Sequence, residues 1–165
     1  MYNKRGELSI VRIGVIAGII GIVVIALGIA SFFFDQRSRN APLDIAVYPN
    51  AEAWGQRDVR VTSRRLFYRV AEVSPQQVAD YYQQRLNEYS GGQERCVRLP
   101  ESGENPINPN NPFSIPYQYR CMFDRSGFQA TQYTRVVIYP GTANPDPFLN
   151  SEGYTVIEYE QVWMP

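Results

Sequence analysis

The chain has 165 residues, room for one ordinary domain, and its sixteen Lys plus Arg balance sixteen Asp plus Glu, so no net field draws it to nucleic acid. Fifteen of those basic residues are arginine, Lys4 is the one lysine, and histidine is absent. That composition removes the His general base, the His ligands of metal and haem, and any lysine Schiff base beyond the N-terminal tail.

From Ile13 to Phe34 the sequence carries no charge, and at 1.5 Å per residue this run makes roughly 33 Å of helix, enough to cross a hydrocarbon core. A buried core helix of that length without a polar face is the bland alternative. A cleaved signal peptide is the sharper rival, since Lys4, Arg5 and Arg12 form a basic leader and Gly28-Ile29-Ala30 offers a small-residue cut. The run is longer than the usual signal core and Phe32–Phe34 extends it past that cut, which favours an uncleaved anchor. Three basic residues precede the span and two, Arg37 and Arg39, follow it, so the expected topology is a cytoplasmic N-terminus over 1–12, a span over 13–34, a polar linker over 35–43 and an extracytoplasmic domain over 44–165. Gly14, Gly18, Gly21 and Gly28 share one stripe at 100° per residue, which predicts a helix-packing face.

Beyond the linker, Asp44–Tyr48 reads as a first strand stopped by Pro49, and a second extended stretch runs from Val59 to Ala71. Its apolar positions change parity, so a bulge or turn is expected near Ser63-Arg64. Ser74-Pro75-Gln76-Gln77 starts a helix with an N-cap, a first-turn proline and a capping Gln, and Val78, Tyr82, Leu86 and Tyr89, with Tyr81 alongside, stripe it as far as Gly91-Gly92. Strand-like runs follow at Glu94–Leu99, Tyr117–Phe123, Phe128–Tyr139 and Tyr154–Trp163, with a hairpin turn expected at Asp124–Gly127. The predicted fold is α+β: a transmembrane helix, then β-β-α-β-β-β-β with a mostly antiparallel sheet and one covering helix.

Cys96 and Cys121, placed outside the cell by this topology, are expected to form a disulfide; the alternative is two buried thiols if the orientation is reversed. Two cysteines without histidine make a poor zinc site, and no haem-attachment sequence is present, so no metal or cofactor is expected. Glu158 and Glu160 share a strand face and in principle offer paired carboxylates; a solvated strand face is the simpler reading. Arg57, Arg60, Arg64, Arg65 and Arg69 form the most charged stretch, suited to an anionic headgroup, an acidic partner or an anionic ligand, or else to pairing with the acidic C-terminal strand. The long loops Glu101–Pro116 and Pro140–Gly153 carry Phe113 and Phe148 as possible contact residues, or are simply exposed.

Tyr48-Pro49-Asn50-Ala51, the stretch RLFYRVAEVSP and Val78-x-x-Tyr81-Tyr82-x-x-x-Leu86 together resemble a group of bacterial membrane-anchored domains with a Y-P-x-A opening, over residues 44 to 90. The single span with an outer domain and no cofactor ligands is architecturally similar to small accessory subunits of bacterial electron-transfer assemblies, such as alternative complex III or photosynthetic reaction-centre complexes. These resemblances imply a non-catalytic accessory subunit in the bacterial inner membrane, with partner subunits meeting the span and the outer loops. The alternative is an anchored sensory module that binds an anionic ligand through the arginine stretch.

Overall fold

The computed structural model describes residues 10–106, 114–127 and 130–164. Lys4, Arg5, Phe113 and Phe128 lie outside them. The chain forms two compact units, Met1–Ser38 and Arg39–Pro165.

The first unit is one helix, α1 (Ile10–Ser38), whose stretch Arg12–Ser38 is long and apolar enough to cross a membrane. Its side chains are exposed throughout the apolar run, as the uniform hydrophobicity of the sequence requires. The helix continues through Asp35–Ser38, which the sequence reads as the start of a linker; Ser38 Oγ donates to the Asp35 carbonyl at 2.7 Å.

The second unit is an α+β domain with six antiparallel strands: β1 (Glu52–Val59), β2 (Ser63–Ala71), β3 (Val97–Leu99), β4 (Gln118–Asp124), β5 (Thr131–Pro140) and β6 (Tyr154–Met164). They order as β1-β2-β6-β5-β4-β3, so the C-terminal strand lies in the middle of the sheet. Its helix, α2 (Pro75–Ser90), follows β2. Ser74 caps it, accepting from the Gln77 amide at 3.3 Å while the Gln77 side chain accepts from the Ser74 amide at 3.0 Å. Gly91, at φ 65°, ends it in the left-handed region that favours glycine. Val78, Tyr82 and Leu86 are fully buried, as the stripe predicts, whereas Tyr89 is partly exposed.

One face of the sheet carries the core. Val70, Tyr119, Cys121, Phe123, Val136, Ile138, Ile157 and Tyr159 pack there with Val78, Ala79, Tyr82 and Leu86 of α2. Two departures from the sequence expectation matter. Asp44–Tyr48 is not a strand; the first strand is Glu52–Val59, and its parity change relative to β2 is a hairpin turn at Val61-Thr62, closed by the Arg60 amide donating to the Ser63 carbonyl at 2.8 Å. The β4–β5 hairpin also closes later than Asp124–Gly127, since Gly127 and Ala130 exchange backbone hydrogen bonds at 2.9 and 3.0 Å. β4 ends at Asp124, where the turn residues suggest, and the Gly127–Ala130 bridge lies in the connection outside the strands.

Candidate functional site

The arginine stretch occupies the β1–β2 hairpin. β1 bulges between Trp54 and Asp58, with Gly55 at φ 70°, and Arg57 sits exposed in the bulged segment. Strand pairing then sets the fate of the others. β2 lies against β6 with Arg65 opposite Glu160 and Phe67 opposite Glu158, on the face away from the core. Arg65 Nε pairs with Glu158 at 3.1 Å, and Glu160 is engaged by Arg135 from β5. Arg60 pairs with Asp58 at 3.2 Å, close to its own position in the hairpin. Arg64, on the core side, donates to Gln161 Oε1 at 2.5 Å, and the Arg69 guanidinium lies 4.6 Å from the centroid of the Tyr154 ring. Asp58, Arg60, Ser63, Arg64, Arg65 and Glu160 line a shallow hollow of about 210 Å³.

The two carboxylates that share a face in the sequence are thus held by arginines from opposite neighbouring strands. Such half-exposed pairs contribute up to about 1 kcal/mol each and fix cross-strand register. Of the arginines and carboxylates that the sequence singles out as ligand candidates, Arg65 and Glu158 pair with each other, whereas Glu160 pairs with Arg135, Arg60 with Asp58 and Arg64 with Gln161.

A second constellation was not anticipated. Residues 41–48 run extended across the core-side face of the sheet without joining its ladder, held by side chains that reach their backbone. Gln132 Nε2 donates to the Ala41 carbonyl at 2.8 Å, and Thr134 Oγ1 and Gln161 Nε2 both donate to the Leu43 carbonyl, at 2.7 and 2.6 Å. Tyr48 donates its amide to Tyr82 Oη at 2.9 Å, Tyr82 and Tyr159 hydroxyls are 2.6 Å apart, and Tyr159 donates to the Ala46 carbonyl at 3.1 Å. These distances order one relay from the Tyr48 N–H through Tyr82 and Tyr159 to the Ala46 carbonyl. Burial pushes the Tyr82 and Tyr159 phenols well above the ordinary tyrosine value. Tyr139 is raised by burial and then by the neighbouring Glu158 carboxylate. Gln132, Thr134, Tyr159 and Gln161 are buried polar or half-polar residues in an otherwise apolar layer, and this strap is what they satisfy.

Cys96 and Cys121 stand at disulfide distance, with Cα atoms 4.2 Å apart, where Cys96 leads into edge strand β3 and Cys121 sits in β4. The 140–153 loop is ordered by its own polar groups. Ser151 and Thr142 bond reciprocally, the Asn144 amide donates to Asn150 Oδ1 at 3.3 Å, and the Phe148 amide donates to Asp146 Oδ1 at 2.9 Å. Phe148 at its tip is 85% exposed. Of the 101–116 loop, Asn105 is tied to the Pro116 carbonyl at 2.7 Å. On α1, a Cβ added at Gly14, Gly18, Gly21 or Gly28 meets nothing within 4 Å.

Among the described residues, no group of three or more His, Cys, Asp or Glu is placed to hold a metal ion. No protein-family model, no curated protein and no solved structure matches the chain.

Proposed function

We propose that the chain is a non-catalytic, single-pass accessory subunit of a larger bacterial membrane assembly of the electron-transfer kind, with α1 as the anchor and the α+β domain on the extracytoplasmic side. The observation that carries this reading is the mutual engagement of the polar side chains best suited to chemistry. Glu158 and Glu160 hold Arg65 and Arg135, Arg64 holds Gln161, and the two buried phenols hold the backbone strap.

Two further features fit a subunit whose business is contact. The glycine stripe leaves the backbone of α1 open to a close helix neighbour. The 140–153 loop presents Phe148 on a scaffold already ordered by hydrogen bonds, so docking there costs little conformational entropy. An anionic-ligand module would have to break the pairs that now hold Arg60, Arg64 and Arg65, which ranks it second.

Extraction of native membranes in mild detergent, affinity capture of the full chain and size-exclusion chromatography test the proposal. Co-elution with redox or transport subunits at a fixed stoichiometry is the expected result. A chain that elutes alone contradicts it.

A further inference from the structure

The strand register places three exposed apolar side chains at one end of the sheet. Val59 ends β1 and Val61 lies in the β1–β2 turn, 66% and 91% exposed, and Met164, opposite Thr131 at the end of β6, is 47% exposed. The Trp163 amide donates to the Thr62 carbonyl at 2.9 Å, which binds the end of β6 to this turn. One exposed valine is ordinary in a free domain, but Val61 together with Val59 and Met164 at the same end suits a turn that meets a less aqueous phase.

Positive charge predominates around these residues. Arg57, Arg60, Arg64 and Arg65 belong to the same hairpin, against Asp58 of β1 and Glu160 of the neighbouring β6. Arg60 keeps most of its side chain exposed while paired with Asp58. Exposed apolar residues with arginines in the same hairpin fit a lipid interface, where the apolar groups enter the headgroup region and each arginine near an anionic surface contributes attraction. The chain also enters the domain at this end: Arg39, its first residue, donates from Nη1 to the Arg125 carbonyl at 2.6 Å, beside the β4–β5 turn.

We infer that this end of the sheet, with Val61 at its tip and Arg57 and Arg60 in the same hairpin, is a lipid-contact surface that seats on anionic phospholipid headgroups. The inference rests on the reading of α1 as a membrane anchor. It assigns the arginine stretch a role that its pairing within the sheet leaves open, because Arg57 and the exposed part of Arg60 face outward whatever their neighbours do.

The test uses the full chain in nanodiscs, of phosphatidylglycerol or of phosphatidylcholine alone, with an environment-sensitive fluorophore at one introduced cysteine and nitroxide-bearing lipid as quencher. Three variants are compared: Val61→Cys at the proposed surface, Phe148→Cys at the opposite end of the sheet, and Val24→Cys within α1. Quenching of the Val61→Cys label well above that of the Phe148→Cys label, weakened by salt and by adding Arg57→Glu and Arg60→Glu, is the expected result. Each reversal should lower the docked-to-undocked ratio about fivefold or more in phosphatidylglycerol discs. A Val24→Cys label that is quenched while the Val61→Cys label matches Phe148→Cys overturns the lipid-contact surface and leaves the anchor standing. An unquenched Val24→Cys label overturns the anchor, and the lipid-contact surface with it.

Discussion

Replacing Tyr159 by Phe removes one hydroxyl from the relay that pins the 41–48 strap, and the cost follows from the bonds lost. Tyr159 accepts from Tyr82 and donates to the Ala46 carbonyl, so two hydrogen bonds go, and the fully buried Tyr82 hydroxyl loses its acceptor. At about 1 kcal/mol per bond plus the penalty of a buried orphan donor, the loss is about 2–3 kcal/mol. Tyr82→Phe also breaks two bonds, to Tyr159 and from the Tyr48 amide, for about 2 kcal/mol. The double variant loses three distinct bonds rather than four, about 3 kcal/mol, so the cycle should return a coupling of about 1 kcal/mol. With an unfolding entropy of about 2.1 cal/mol/K per residue over residues 39–165, Tyr82→Phe lowers Tm by about 7 °C and Tyr159→Phe by about 7–11 °C. The readout is near-UV circular dichroism of the full chain in detergent, because α1 dominates the far-UV signal. Single variants melting within a degree of wild type, or a strictly additive double variant, would refute the relay.

Alkaline unfolding follows from the same phenols. Their folded pKa values lie above the ordinary value near 10, so the native state keeps protons that the unfolded chain releases. Their contribution is therefore constant below about pH 10 and falls above it by up to about 1.4 kcal/mol per pH unit for each tyrosine. A denaturant titration across that range should steepen with pH, and Tyr159→Phe should flatten the slope. Gly141→Ala should destabilise the domain by about 1–3 kcal/mol, since the new Cβ would collide with the Ser151 backbone carbonyl and approach the Tyr154 carbonyl; chemical denaturation measures it. Ser74→Ala breaks the capping box of α2 and should cost about 1 kcal/mol by the same measurement, and Gln77→Ala made alone should cost less than that.

The elements that could be read from the sequence were those whose local signals agreed. Ser74, Pro75 and Gln77 fix one end of α2 and Gly91 the other, and the run from Ile13 to Phe34 admits little besides a long apolar helix. The strap was read as a linker and a strand because its own residues alternate like a strand, whereas what holds it lies in α2 and, more than eighty residues away, in β5 and β6. A trace was present: Gln132 and Thr134 have the parity of Val136 and Ile138, and Gln161 that of Ile157 and Tyr159. Polar residues in phase with a core face demand partners. The position of β1 was obscured because Glu52–Val59 is an exposed, bulged edge strand whose polar residues give no period-two signal. The arginine stretch was visible as charge, but its partners depend on β6 lying beside β2, a strand order that local pattern does not encode.

The central claim is that the chain functions by contact within a membrane assembly. Its most direct test is the composition of the complex recovered in mild detergent from native membranes carrying the wild-type chain, compared with Gly18→Leu and with Phe148→Ser. The account predicts fixed-stoichiometry recovery of partner subunits with wild type and a marked loss with both variants, while the near-UV melt of the outer domain stays unchanged. Recovery of the wild-type chain alone, or partner recovery indifferent to both substitutions, would contradict it.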